Sequence, residues 1–106
     1  METVTLPTAT IRGDEWSQAL TLNNAGRDFS TLSVSTSVYR GGLLLSAPVV
    51  ASAISNVVTG SALITLDLTG TQTQAMPAST YIIRVRVQTS DWGPYTPIDL
   101  KFDVVN

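Results

Sequence analysis

Two stretches near the end of the chain alternate between apolar and polar side chains, and no helix accommodates that pattern. In Tyr81-Ile82-Ile83-Arg84-Val85-Arg86-Val87-Gln88 the odd positions are apolar, while Arg84, Arg86 and Gln88 fall on the other side. A period of two is that of a half-buried strand, because successive side chains point to opposite faces of a sheet. Beyond Ser90-Asp91-Trp92-Gly93-Pro94 the alternation resumes. Ile98, Leu100, Phe102 and Val104 lie on one face, and Asp99, Lys101 and Asp103 on the other. Two such runs joined through a Gly/Pro turn predict a β-hairpin. Its outward face sets Arg84 and Arg86 against Asp99 and Asp103, pairs that serve register and solubility.

The rest of the chain follows the same logic with weaker signals. Residues 62–68 place Ile64, Leu66 and Leu68 on one face of a strand. The segment Thr69-Gly70-Thr71-Gln72-Thr73-Gln74-Ala75-Met76-Pro77 then breaks the alternation. Thr69 is a candidate N-cap and Pro77 a stop, which predicts one short helical turn or a loop. Residues 16–22 and 32–39 read as strands, the second with Leu32, Val34 and Val38 inward and Ser33, Ser35 and Ser37 outward. A short first strand over 3–6 ends near Pro7, and Gly41-Gly42 marks a turn. About seven short strands, evenly spaced and without a long helix, predict an all-β sandwich in one domain over residues 1–106.

The middle of the chain poses a different problem. No charge occurs from 41 to 66, and 42–58 is mostly apolar. At about 17 residues this run sits at the short limit for a membrane-spanning helix. Ser46, Pro48, Ser52, Ser55 and Asn56 interrupt it and only Arg40 flanks it, so the segment reads as part of the sandwich. Three consecutive leucines, Leu43-Leu44-Leu45, must point to both faces of a strand. A contiguous uncharged surface of this kind calls for cover. Leu43, Leu44, Val49, Val50, Val57 and Val58 are therefore expected at a contact with another protein or with a second copy of the chain.

Composition removes whole classes of chemistry. The 106 residues contain no Cys and no His, which excludes thiol nucleophiles, imidazole bases and the usual zinc sites. Six basic residues against eight acidic ones leave no electrostatic footprint for nucleic acid. Asp99 and Asp103 share a strand face but stand roughly 13 Å apart, too far for a catalytic carboxylate pair. Asp28, Asp67 and Asp91 occupy turn positions without the spacing of a calcium loop. No cofactor, metal or small-molecule substrate is expected, and no enzymatic activity. Arg12-Gly13-Asp14 matches an adhesion tripeptide, but its context predicts a tight turn at Gly13, with Asp14 bonding local backbone amides. Trp16 is expected to plug the core. Trp92 and Tyr95 lie together in the last turn as a possible exposed aromatic contact for sugar.

The order of these motifs carries a resemblance. Arg12-Gly13-Asp14-Glu15-Trp16 leads into a strand, and Phe29-Ser30-Thr31-Leu32 leads into a second that ends at Tyr39-Arg40. A Gly-Ser-Ala-Leu-Ile-Thr-Leu strand and a Gln/Thr-rich segment closing on Met76-Pro77 follow, and then Tyr81-Ile82-Ile83-Arg84-Val85-Arg86-Val87. From about 6 to 105 the chain resembles the small immunoglobulin-like domain of tailed-bacteriophage baseplate and tail-fibre proteins, such as the N-terminal domain of baseplate upper proteins. Phe29-Ser30-Thr31-Leu32 stands where that family carries D-L-[ST]-G. The resemblance implies an immunoglobulin-like β-sandwich serving as a non-enzymatic structural subunit of the virion, assembled in the bacterial host cytoplasm. Its partners would be other virion proteins and copies of itself. A capsid decoration protein is the nearest alternative, and a carbohydrate-binding module a further one.

Overall fold

The structure is a computed structural model that describes every residue except 1, 7, 24, 25 and 91–96, and all side chains in the described part except those of residues 2 and 3. In chain order the elements are β1 (Glu2–Thr5), β2 (Thr10–Ile11), β3 (Trp16–Asn23), β4 (Ser33–Arg40), β5 (Leu43–Leu45), β6 (Ala51–Val58), β7 (Ser61–Leu68), α1 (Gly70–Gln74), β8 (Ser79–Gln88) and β9 (Ile98–Val105). They build two sheets. The larger has the order β1-β9-β8-β4-β5, with β2 also on β9, and the smaller has the order β3-β7-β6. The chain is an all-β sandwich with one antiparallel sheet and one mixed sheet. The mixing comes from β1 and β2, which both run parallel to β9.

The alternating segments form strands because alternation puts one set of side chains into the space between the sheets. In β8 the inward residues Tyr81, Ile83, Val85 and Val87 are buried. Leu100, Phe102 and Val104 of β9 and Ala62, Ile64, Leu66 and Leu68 of β7 are buried opposite them. Trp16 opens β3 and stacks on Phe102 with ring centroids 5.0 Å apart. Phe102 in turn meets Tyr81 at 6.1 Å. Burying such rings contributes about 1.5–3 kcal/mol each from apolar area alone.

The β8–β9 hairpin forms as the alternation requires, with Arg84 opposite Asp99. Its other expected ion pair does not form. The register puts Asp103 opposite Thr80, whose hydroxyl donates to the Asp103 carboxylate at 2.6 Å. Pairing depends on the length of the connection, and the turn expected at 90–94 falls mostly outside the described residues. The other turn legible from glycines is realised. Arg40 pairs with Leu43, leaving Gly41 (φ 59°) and Gly42 (φ 80°) as a two-residue hairpin loop. Both positions need the left-handed region that side chains disfavour.

The short helical turn forms where Thr69 and Gln72 specify it. The Thr69 hydroxyl accepts from the Gln72 amide at 3.1 Å, and the Gln72 side chain accepts from the Thr69 amide at 2.8 Å. This reciprocal capping box satisfies two amide donors that a helix start leaves free. Strand β6 was not expected as a separate element. Its sequence, Ala-Ser-Ala-Ile-Ser-Asn-Val-Val, has too little contrast between neighbours to announce a buried face, and all eight residues are exposed. A bulge after Ser55 places Asn56 at φ 51°. No helix among the described residues is long and apolar enough to cross a membrane.

Candidate functional site

The Arg12-Gly13-Asp14 tripeptide is anchored at a corner of the sandwich, with Arg12 half-buried and Gly13 and Asp14 exposed. Gly13 sits at φ 92°, and a Cβ there would lie 2.8 Å from Gln74 Oε1. The Gly13 amide donates to the Thr73 hydroxyl at 3.1 Å, and that hydroxyl donates to the Asp14 carbonyl at 2.6 Å. Thr73 is completely buried. The Arg12 guanidinium donates to the Gln74 carbonyl at 2.8 Å and to Asn106 Oδ1 at 3.1 Å. Two segments about sixty residues apart are thus pinned through one side-chain hydroxyl. The turn at Gly13 forms as expected, but Asp14 contributes through its backbone, its amide donating to the Ile11 carbonyl at 3.0 Å.

The outward face of the larger sheet offers a more open arrangement. Cross-strand pairing aligns Leu44, Tyr39, Ile82 and Lys101 in one row. Ser37, Arg84 and Asp99 form the next row, and Thr80 and Asp103 flank the first on its other side. The result is a strip that is apolar up to Lys101 at its end, between two polar ones. Tyr39, Thr80, Ile82, Arg84 and the Gly41-Gly42 loop line a groove of about 400 Å³. The Arg84 guanidinium lies 5.1 Å from the Tyr39 ring centroid, within reach of a cation–π contact. It also grips Asp99 through Nε to Oδ1 at 2.8 Å and Nη2 to Oδ2 at 3.1 Å. This two-point hydrogen bonding holds Arg84 more firmly protonated than an ordinary arginine. The groove therefore presents one fixed cation, one ring and hydroxyl groups on a rigid floor. The sequence shows Arg84 and Asp99 as a register pair, but nothing local marks Tyr39 as their neighbour.

A second cavity, of about 580 Å³, lies at the α1 end of the molecule. Leu45, Pro48, Val49, Met76 and Pro77 make it largely apolar, and Arg40 stands at its wall. Elsewhere Asp28 caps a turn by accepting from the Ser30 amide at 2.9 Å, a bond that holds its carboxyl below the ordinary value. Among the described residues no three acidic side chains gather as a cation site.

Five of the six residues expected at a contact stand exposed and one does not. Leu43 (71%), Leu44 (63%) and Val49 (73%) are broadly exposed, and so are Val57 and Val58. Val50 is not. At 5% exposure it belongs to the core cluster, because the chain entering β6 turns that one side chain inward. Leu44 and Leu43 lie on β5, whereas Val49 precedes β6 and Val57 and Val58 close it. Trp92 and Tyr95 lie outside the described residues.

Comparison with known proteins bears first on the fold. No family model matches the sequence, and no curated protein matches it. Among solved structures, a family 123 glycoside hydrolase from Clostridium perfringens, described in connection with glycolipid glycan hydrolysis, shares the fold over 100% of this chain. The TM-score is 0.66 at 13% identity. The chain spans only 23% of that protein. This finding corrects the role expected from the resemblance. The fold is matched within a glycan-hydrolysing protein, and the reading as a phage baseplate, tail or capsid subunit is overturned.

Proposed function

We propose that the chain is a non-catalytic carbohydrate-binding module with immunoglobulin-like topology. One observation carries the binding reading: the groove on the larger sheet, where the Tyr39 ring and Ile82 lie between rows of hydroxyl and charged groups. A pyranose has one face of C–H groups and a rim of hydroxyls. The first packs on an aromatic or apolar floor, and the second accepts from a guanidinium and donates to carboxylates. Arg84 and Thr80, which line the groove, supply such partners on a strand that needs little reordering on binding. The fold shared with part of a glycoside hydrolase points the same way.

The finer topology rests on strand order and on one tyrosine. The order β3-β7-β6 facing β9-β8-β4-β5 follows the arrangement of immunoglobulin-type sandwiches, with β1 and β2 on the outer side of the last strand. Tyr81, near the start of β8, donates its hydroxyl to the Pro77 carbonyl four residues upstream at 2.6 Å, the contact known as a tyrosine corner. The non-catalytic reading is supported by the carboxylates of the larger sheet. Asp99 is bound to Arg84 and Asp103 to Thr80, and no imidazole or thiol occurs in the chain.

A glycan array that includes glycolipid-derived oligosaccharides tests this reading, with calorimetry on whatever is retained. Tyr39→Ala is expected to weaken binding by about tenfold or more while the circular dichroism spectrum is preserved, since one stacked ring is worth on the order of 1.4 kcal/mol. Retention that survives Tyr39→Ala but is lost in Trp92→Ala and Tyr95→Ala moves the site to the last turn. No retention of any glycan by the unaltered chain defeats the reading altogether.

A further inference from the structure

Strand β6 has one side paired with β7 and no described strand on the other. All eight of its residues are exposed, including Ile54 on the side that should face the core. Such an edge offers a row of amides and carbonyls suited to another strand rather than to a featureless apolar partner. Beyond the reach of β5, β4 also leaves Ser33 to Ser37 without a described strand on one side, but there Val34 packs on the core; the remaining edges are better protected. The edge strands β1 and β5 have four and three residues. Strand β3 is as long as β6, but Leu20 and Leu22 pack on the core and the segment 8–11 lies beside its start. Proteins that stay monomeric blunt such an edge with lysine, proline or an inward charge. Strand β6 has none of these, its one bulge lies beyond Ser55, and no charged residue occurs anywhere from 41 to 66.

We infer that β6 pairs antiparallel with β6 of a second copy about a two-fold axis, joining two three-stranded sheets into one of six strands. The missing charge selects this occupant. In a two-fold antiparallel pair the residue on the axis meets its own equivalent and its neighbours meet across it, so a charge on the axis would face a like charge. An uncharged strand is self-complementary without further design, and a net charge of −2 leaves little repulsion between approaching copies. The regular part of the strand, Ala51 to Ser55, precedes the bulge, and its midpoint is Ala53. With the axis at Ala53, Ile54 of each copy falls beside Ser52 of the other on one face, which gives the exposed isoleucine a neighbour. The inference is independent of the glycan reading, which concerns the opposite sheet.

Sedimentation velocity of the full chain, from micromolar to millimolar concentration, reads the result. The unaltered chain is expected to shift from monomer to dimer. Ala53→Lys and Ala53→Asp, both on the solvent side of an exposed strand, should each weaken the dimer by about tenfold or more with an unchanged circular dichroism spectrum. An equimolar mixture of the two variants should restore it, because opposite charges then meet at the axis; a variant that had lost its fold could not be rescued in this way. A chain that remains monomeric throughout the range overturns the inference. So does a dimer that Ala53→Lys leaves as tight as before, or one that the mixture fails to restore.

Discussion

Two regions of this molecule use the same kinds of residue to opposite effect. The corner made by 12–14, α1 and the start of β8 is rich in Gly, Thr and Gln, and nearly every polar group there is engaged. Thr73 joins Gly13 to Asp14, Arg12 reaches Gln74 and Asn106, Gln72 closes the cap on Thr69 and also donates to the Val49 carbonyl at 2.8 Å, and Tyr81 reaches Pro77. Strand β6 is rich in Ala, Ser and Val, yet it stands bare. Small and hydroxylated side chains lock a structure when the backbone brings their partners within reach. Along an edge strand the same chemistry leaves the chain open to another molecule.

Substitutions that treat both regions alike should expose the contrast. The largest difference is expected between Met76→Ala and Val58→Ala. Met76 is almost fully buried beneath the corner, and its truncation should cost about 2–5 kcal/mol in urea unfolding. Val58 is 60% exposed, and its truncation should stay within about 0.5 kcal/mol. Equal costs would mean that β6 is packed within the protomer after all. Next comes Thr73→Val, which keeps the volume but removes the bridging hydroxyl. The Gly13 amide and the Asp14 carbonyl then lose their shared partner, at about 1–3 kcal/mol in the same measurement. A neutral result would show that solvent replaces the bridge. The smallest effect is expected for Tyr81→Phe, which leaves the ring in place and frees only the Pro77 carbonyl, for about 1 kcal/mol.

The contrast also explains what the sequence discloses. Strands β7, β8 and β9 are legible because Ile64, Leu66, Ile83, Val85, Leu100 and Phe102 alternate with polar neighbours, and burial of one face is itself a periodic property. The cap at Thr69 is legible because a capping box is local, running only from Thr69 to Gln72. Strand β6 was hidden because a strand buried on neither face need not alternate. The bracing of Arg12 by Gln74 and Asn106 was hidden for another reason: it joins positions 62 and 94 residues apart, and only the assembled sandwich brings them together. The groove at Tyr39 belongs to this second kind, since the Tyr39–Arg84 contact depends on the pairing of β4 with β8. Val50 shows the converse limit, because composition marks an apolar run without telling which of its members turns inward.

The parallel pairing at the start of the chain has a mechanical consequence. Strand β1 enters beside Ile98 and β2 leaves beside Val105, so the incoming chain pairs with both ends of β9 in the same direction. Tension applied through Thr5 and Val105 would pull these strands past one another, loading their hydrogen bonds together in shear instead of peeling them apart in succession.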